Sequence, residues 1–294
     1  MELWILFSFF ATFLFSVSSI IDKITISNYF KKPTFQVASG LLYDTIAIGF
    51  VFLVAKIVIP PSEVLFAGIA AGICLTIALY LFYKAIFSGE VSTSLISYQI
   101  IPVFVLILAT IFLKEVLSFN QYIGMALLLI GSLIVSVEKK ETFKLKKSSV
   151  LVIVSSLFFA VDIVLYKFMV DRIDPINAFF WSQAIFPLIF LGMLIFDGKY
   201  FIEIIKNHKK GVGLDILSEF ISLIGRYAQT LAMAGGFVII VSGIIGTIPL
   251  MVFILAIILS ILFPKILKEE INRKTIIQKG IAIILVIAGT ILVS

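Results

Sequence analysis

The chain alternates between long apolar runs and short polar loops along nearly its whole length. Ten runs are long enough to cross a bilayer, because a helix needs about 20 residues to span roughly 30 Å of hydrocarbon. The runs are continuous rather than alternating, which favours helices over a membrane barrel. The pattern therefore predicts an all-α polytopic membrane protein of ten transmembrane helices. Spans 1 to 10 are predicted at residues 3–21, 36–58, 64–86, 91–113, 119–137, 148–169, 176–196, 214–235, 237–263 and 276–293.

The composition agrees with a lipid environment. Of the 294 residues, 61% are hydrophobic and 14% are charged, whereas a soluble domain has about 45–50% apolar and about 25% charged residues. Residues 3–21 lack a preceding basic segment and a small-residue cleavage site, so we expect them to be the first span rather than a cleaved leader.

Basic residues are distributed unevenly between the loops. The loops that follow odd-numbered spans hold 18 of the 23 lysines and arginines. The opposite side of the membrane has Lys56, Lys114, Lys167 and Arg172, and Arg226 lies inside span 8. Because cytoplasmic loops are enriched in basic residues, this distribution predicts that both termini lie outside the cytoplasm.

The second half of the chain repeats the first in the same order, at an offset of 144 to 158 residues. The repeat predicts two five-span units at residues 1–138 and 148–294, joined by a charged linker at 139–147. An odd number of spans gives the two units opposite orientations, as in the inverted repeats of secondary transporters. The matching segments are FSVSSIIDK (15–23) with FAVDIVLYK (159–167), LYLFYKAIFSGEV (79–91) with RYAQTLAMAGGFV (226–238), and LLLIGSLIVS (127–136) with LVIAGTILVS (285–294).

Several motifs of the two halves resemble the EamA branch of the drug/metabolite transporter superfamily. They are SGEVSTSLISYQIIPVFVLILATIFLKE (88–115), QYIGMALLLIGSLI (121–134) and AGGFVIIVSGIIGTIPL (234–250), with KEE (268–270) answering LKE (113–115). The resemblance implies a ten-helix carrier of the plasma membrane for amino acids, related metabolites or drugs. Ten-helix members of this family usually have both termini in the cytoplasm, opposite to the charge distribution here.

Arg226 is the charge placed deepest in an apolar span. Near the bilayer centre an arginine costs ~2.5–3.5 kcal/mol, so it usually faces a bundle interior or a wet cavity. Arg226 either holds an anionic group of a substrate or pairs with an acid on another helix, and the two roles are compatible if substrate displaces the acid. Asp162 and Asp44 are the candidate partners, and either could carry a coupling proton.

Further polar and aromatic residues lie in spans 3, 4, 7 and 8, where they either line a cavity or hydrogen-bond between helices. Pro102 and Pro249 occupy matching positions in spans 4 and 9, and we expect them to bend these spans during rocking. Glu219 is expected near the membrane interface. The candidate substrate-binding residues beside Arg226 are Tyr80, Tyr83, Gln99, Trp181, Gln183, Tyr227 and Gln229.

These features predict a secondary transporter that moves a small polar or amphipathic metabolite by alternating access, driven by an ion gradient. We expect a small-molecule substrate and the bilayer as partners, and no cofactor, metal or nucleic acid. Spans 5 and 10 are expected to serve packing or homodimer formation. The alternative is a non-transporting membrane protein, such as a flippase accessory or assembly factor.

We do not predict an enzyme. Tyr43 and Asp44 resemble half of an intramembrane aspartyl protease site, which also needs an aspartate in a Gly-x-Gly-Asp setting. The nearest segment, GVGLD (211–215), has one extra residue.

Overall fold

The computed structural model describes residues 2–87, 91–136, 147–262 and 273–293, which form helices joined by short loops and contain no strand. A π-helical turn, Ala109–Leu113, follows the fourth helix, and Lys114 ends it with a left-handed φ of 60°. The helices are α1 (Leu3–Asn28), α2 (Pro33–Val54), α3 (Ser62–Phe87), α4 (Val91–Leu108), α5 (Phe119–Ser136), α6 (Lys147–Val170), α7 (Pro175–Ser182), α8 (Phe186–Asn207), α9 (Lys209–Gly235), α10 (Val238–Ile245), α11 (Ile248–Leu262) and α12 (Arg273–Val293).

The helices have the length and composition of a multi-pass membrane protein. Six helical segments of the described chain are long and apolar enough to cross a bilayer, and three shorter apolar helices accompany them. Helix α9 belongs to neither group, because Asp215, Glu219 and Arg226 lower its hydropathy. Large apolar side chains point outwards, among them Leu53 (81% exposed) and Phe196 (89% exposed), as a lipid-facing surface requires. The count of ten transmembrane helices stays a prediction.

Two of the predicted spans contain a break in the helix, although each is one segment that is long and apolar enough to cross a bilayer. Span 7 consists of α7 and α8, separated at residues 183–185, and span 9 consists of α10 and α11, separated at residues 246–247. Pro187 and Pro249 each lie in the first turn beyond a break, where a missing N–H removes no helical hydrogen bond. Pro102, in contrast, lies inside α4, which continues past it. Pro102 and Pro249 were predicted as a matched pair of bends, but Pro102 lies inside a helix and Pro249 lies in the first turn of one.

The helices of the two halves pack in matching pairs. Helix α1 packs along α9, and the corresponding helices α6 and α3 also pack along each other. Likewise α1 contacts α10 and α11, and the corresponding helices α6 and α4 are in contact. The pairs α5 with α12 and α2 with α8 each join corresponding spans. Exchanging the halves maps these pairs onto one another, as a two-fold relation between repeats would require. The repeat stays a prediction that this packing favours; linker residues 139–146 and KEE (268–270) lie outside the described chain.

Helices α5 and α12 are in backbone contact. A Cβ atom on Gly289 would lie 2.7 Å from the Gly124 carbonyl oxygen, and one on Gly131 would lie 2.9 Å from the Ala282 carbonyl oxygen. Small residues allow this close approach between helices in lipid. The packing interpretation of spans 5 and 10 is confirmed within the chain, and homodimer formation stays a prediction.

Candidate functional site

Arg226 forms an ion pair with one of its two predicted partners. Its Nη2 donates a hydrogen bond to Asp162 Oδ1 on α6, at 3.3 Å. The arginine side chain is 14% exposed and the aspartate side chain 3% exposed. Two buried charges of opposite sign compensate part of each other's desolvation, which explains how α9 keeps an arginine in an apolar setting.

Tyr166 completes the surroundings of the guanidinium. It lies four residues after Asp162 and therefore on the same face of α6. The Arg226 Cζ atom is 4.9 Å from the centroid of the Tyr166 ring, a cation–π distance. The Tyr166 hydroxyl is hydrogen-bonded with Thr230 Oγ1, which donates to the Arg226 carbonyl oxygen at 2.9 Å. Tyr166 was not predicted, although its spacing from Asp162 was a signal for it.

The Arg226 guanidinium has hydrogen-bonding capacity left over. Its Nε is buried and has no hydrogen-bond partner in the part of the chain that the structure describes. Asp44 of α2 also interacts with Arg226 through its charge. Because an arginine offers a planar fork of donors, a further acceptor could bind here without displacing the ring contact.

The other predicted site residues are dispersed. Tyr227 contacts Phe179 of α7 edge-on, with ring centroids 5.5 Å apart, and Gln183 Nε2 donates to the Phe179 carbonyl oxygen at 3.0 Å. Trp181 Nε1 donates to the Val58 carbonyl oxygen at 2.8 Å, which ties α7 to the loop before α3.

The remaining candidates have other surroundings. Gln99 and Gln229 are buried. The Tyr80 ring lies 5.5 Å from Lys84 Nζ, and Tyr83 donates to Asp22 instead of approaching Arg226. A small cavity between α2 and α8 contains none of the predicted site residues. The predicted cavity at Arg226 stays a prediction.

A second group of charged residues was not predicted. It is formed by Asp22 at the end of α1 with Asp215 and Glu219 in the first half of α9, and we call it the acidic cluster. Ser218 Oγ donates to Asp22 Oδ1 at 2.5 Å, and the Tyr83 hydroxyl donates to Asp22 Oδ2 at 3.2 Å. The cluster went unnoticed because its members lie near the ends of apolar runs, where an interfacial position explains a carboxylate.

Helix α2 lies against the acidic cluster. Gln36 Nε2 donates to Asp215 Oδ1 at 2.8 Å, and the Glu219 carboxylate fills the space beside Gly40, where a Cβ atom would lie 3.2 Å from Glu219 Oε1. Gln36 is 1% exposed and Asp215 is 0% exposed. The absence of a side chain at Gly40 thus makes room for an acid between two helices.

The acidic cluster and Arg226 share one face of α9. Residues three or four positions apart lie on the same side of a helix, so the polar residues of α9 form a continuous polar face. Glu219 and Arg226 are separated by about 10 Å along the helix axis. The polar face contains Asp215, Glu219, Ser222, Arg226 and Thr230, and α2 contributes Gln36, Gly40 and Asp44.

The LKE motif of the first half connects two helices. Glu115 lies between the π-helical turn and α5, and its carboxylate accepts hydrogen bonds from the backbone N–H groups of Val238 (2.9 Å) and Ile239 (3.2 Å) at the start of α10. Burial raises the pKa of Glu115, and these two backbone donors offset only part of that effect. Glu115 therefore acts as the cap of a helix distant in sequence.

The described helices define a multi-pass membrane protein. Residues 2–137 match the family model of the EamA-like transporter family. The resemblance to the EamA family that the sequence motifs indicated is therefore confirmed for residues 2–137.

A solved structure described as "Crystal structure of protein" has the same fold, with a TM-score of 0.71 and 14% sequence identity. The alignment covers 98% of this chain and 95% of that one. None of the curated proteins matches the sequence significantly.

Proposed function

We propose that the chain is a secondary transporter for small metabolites that carry an anionic group, such as amino acids, in the plasma membrane. Two inverted five-helix repeats alternate between inward-open and outward-open states, and an ion gradient drives the movement. The EamA-like match over residues 2–137 and the matching helix pairs support this proposal. The same match favours transport over enzymatic activity.

The ion pair between Arg226 and Asp162 carries the proposal. A substrate carboxylate that replaced Asp162 would keep the guanidinium paired, and the unpartnered Nε offers it a second donor. The Tyr166 ring would remain in contact with the cation and hold its orientation. Exchange of one carboxylate for another avoids exposing an unpaired buried charge at any stage, which lowers the cost of binding.

The test is solute flux into proteoliposomes that contain the purified protein. Labelled aspartate, phenylalanine and lysine differ in side-chain charge and all carry a carboxylate. We expect Arg226→Ala to lower the flux of each transported solute about tenfold or more, because a charge-assisted bidentate contact is lost. Arg226→Lys keeps the charge but not the planar fork, so we expect an intermediate flux.

A double variant separates a substrate role from a purely structural ion pair. In Arg226→Ala/Asp162→Ala no buried charge of the pair is left uncompensated, so the fold recovers while a substrate site does not. The matched control is Lys32→Ala/Asp197→Ala, which removes an exposed pair of the same 3.3 Å length. Recovery of flux in the first double variant would contradict the substrate role. Absence of flux for the whole panel in wild type would favour the non-transporting alternative.

A further inference from the structure

The side chains of Gln36 and Asp215 share one hydrogen bond, and each has a second polar atom that is not used in it. Gln36 Nε2 donates to Asp215 Oδ1 at 2.8 Å. The other atom of each group, Gln36 Oε1 and Asp215 Oδ2, is buried and accepts no hydrogen bond of ordinary geometry within the described chain. Ser39 is a further donor beside Asp215, but its hydroxyl donates to the Gln36 carbonyl oxygen at 3.0 Å. Both are acceptors when Asp215 is ionised, and a buried acceptor without a donor is destabilising.

In the pairing of a carboxylic acid with a primary amide, one proton satisfies both of these acceptors. A carboxylic acid and a primary amide form a cyclic pair in which the amide N–H donates to the acid carbonyl and the acid O–H donates to the amide carbonyl. The first of these bonds is present, and the second needs a proton on Asp215 Oδ2. We propose that Asp215 binds a proton, held by Gln36, and that this proton is the ion coupled to transport. The coupling part rests on the proposed transporter function.

The charges around Asp215 favour a proton there. The negative charge of Asp22 on α1 acts on Asp215, and the charges of Asp22 and Asp215 act in turn on Glu219 of α9. Asp22 accepts hydrogen bonds from Ser218 and from Tyr83 of α3, an arrangement that suits the ionised carboxylate. Removing a second negative charge from this buried site therefore lowers the repulsion.

No basic residue of the described chain forms an ion pair with the acidic cluster. Helix α2 faces it with Gln36, Ser39 and Tyr43, and its next charge along the polar face is Asp44. Arg226 is already paired with Asp162. The lysines at the nearby helix ends, Lys23, Lys209 and Lys210, are exposed.

The polar face explains how a proton on Asp215 could influence the Arg226 site. Gln36 and Asp44 lie two turns apart on α2, and Asp215 and Arg226 lie three turns apart on α9. Release of the proton breaks one of the two bonds between Gln36 and Asp215 and adds a negative charge beside Glu219. Helices α2 and α9 are then held less tightly, and these helices carry Asp44 and Arg226.

Infrared difference spectroscopy tests the proton site without any substrate. The purified full-length protein in nanodiscs is compared between acidic and alkaline buffer, which reveals the C=O stretch of protonated carboxyls. We expect Asp215→Asn to remove one component of this band and Gln36→Leu to shift the same component, since its C=O then lacks the amide donor. Asp197→Asn, an acid of the surface pair with Lys32, is the control and leaves the component in place. An unchanged band in Asp215→Asn, or an unshifted band in Gln36→Leu, would overturn the proposal.

The coupling is tested with a pH-sensitive dye trapped in proteoliposomes. When aspartate or phenylalanine enters, we expect wild type to move protons with the solute, and the ratio of protons to solute to fall to near zero in Asp215→Asn. Solute-linked proton movement that persists in Asp215→Asn would overturn the coupling role, as would sodium-driven entry without a pH change in wild type. If wild type moves no solute, the transporter function fails, while the infrared spectra still decide whether Asp215 holds a proton.

Discussion

At the scale of single residues, the energetics of a buried arginine determine its neighbours. The Arg226 side chain is only 14% exposed, and its charge is compensated by Asp162 and by the ring of Tyr166. An aromatic ring attracts a cation without adding a charge that must itself be desolvated. Tyr166 therefore stabilises Arg226 without using any of its hydrogen-bond donors.

The two contributions of Tyr166 can be separated by substitution. Tyr166→Phe keeps the ring over Arg226 and loses the interactions of the hydroxyl with Thr230 and Ser182, so we expect a loss of about 1 kcal/mol in the free energy of unfolding. Tyr166→Leu also removes the cation–π contact, for a further loss of about 1–2 kcal/mol. Thermal unfolding in detergent, with circular dichroism as readout, measures both. Equal unfolding midpoints for the two variants would show that the ring contributes nothing.

The sequence predicts the ion pair of residues whose charge would be costly in lipid. It does not predict the contacts of acids that could lie at the membrane interface. Arg226 and Asp162 stand inside apolar runs, so each demanded a partner, and the predicted pair is present. Asp215 and Glu219 stand close to the start of a span, where water is a sufficient partner. Only the packing of α1 and α2 against α9 shows that they are covered by protein.

At the scale of helices, hydropathy located each helical segment but not the breaks within it. Both breaks leave apolar residues on either side, so a hydropathy window averages across them. The local signals were Pro187 and the Gly246 to Pro249 segment, since a residue before proline is disfavoured in a helix. Those signals are ambiguous in membrane proteins, where Pro102 remains inside a helix because neighbouring groups can satisfy the freed carbonyl.

Backbone contact between α5 and α12 predicts a sharp difference between two glycines of one helix. Gly289→Ala places a methyl group 2.7 Å from the Gly124 carbonyl oxygen, so the helices must separate, at a cost of about 1–3 kcal/mol. Gly280→Ala meets no atom of the described residues within 4 Å and raises helix propensity by up to about 1 kcal/mol. Thermal unfolding midpoints of the two variants test this contrast. A stable Gly289→Ala protein would contradict the backbone contact.

The capping of α10 by Glu115 predicts a graded series. Glu115→Ala leaves the N–H groups of Val238 and Ile239 without their acceptor, and we expect a loss of about 1–3 kcal/mol in the free energy of unfolding. Glu115→Gln keeps one acceptor and resembles the protonated acid, so we expect a smaller loss. Thermal unfolding at a fixed acidic pH ranks the three proteins, and a Gln variant less stable than the Ala variant would exclude capping.

The same residue predicts a pH dependence whose sign follows from its raised pKa. A group that binds its proton more tightly in the folded state contributes stability below its unfolded pKa, and this contribution is lost as the pH rises through the folded pKa. Wild type should therefore lose stability relative to Glu115→Gln as the pH rises above the usual glutamate range. Unfolding midpoints measured across that range, as the difference between the two proteins, provide the test. A difference that moves in the opposite direction would mean that the helix N-terminus outweighs burial.

At the scale of the whole molecule, the matching helix pairs are the strongest support for the repeat seen in the sequence. The predicted repeat states which spans correspond, and contacts between α1 and α9 have their counterpart between α3 and α6. Sequence matching could not give these contacts, because they depend on how five-helix units pack. The charged residues depart from this symmetry: Asp162 corresponds to Ser18, which is hydrogen-bonded with Ser222 at 2.7 Å. The helix packing is thus matched between the two halves, whereas the ion pair of Asp162 and Arg226 lies within the second half.

The orientation of the whole molecule can be decided by labelling the two ends of α2. The charge distribution places the loop with Lys31 in the cytoplasm and the loop with Lys56 outside, and the family's usual topology places them the other way round. Both lysines are exposed, and Cys74 is the only native cysteine, so Cys74→Ala provides a background for Lys31→Cys and Lys56→Cys. We expect a membrane-impermeant maleimide to label the Lys56→Cys variant in intact cells and the Lys31→Cys variant only after permeabilisation. The opposite pattern would invert the molecule, and because the acidic cluster lies at the same end of the bundle as Lys31, it would also invert the side from which Asp215 exchanges its proton.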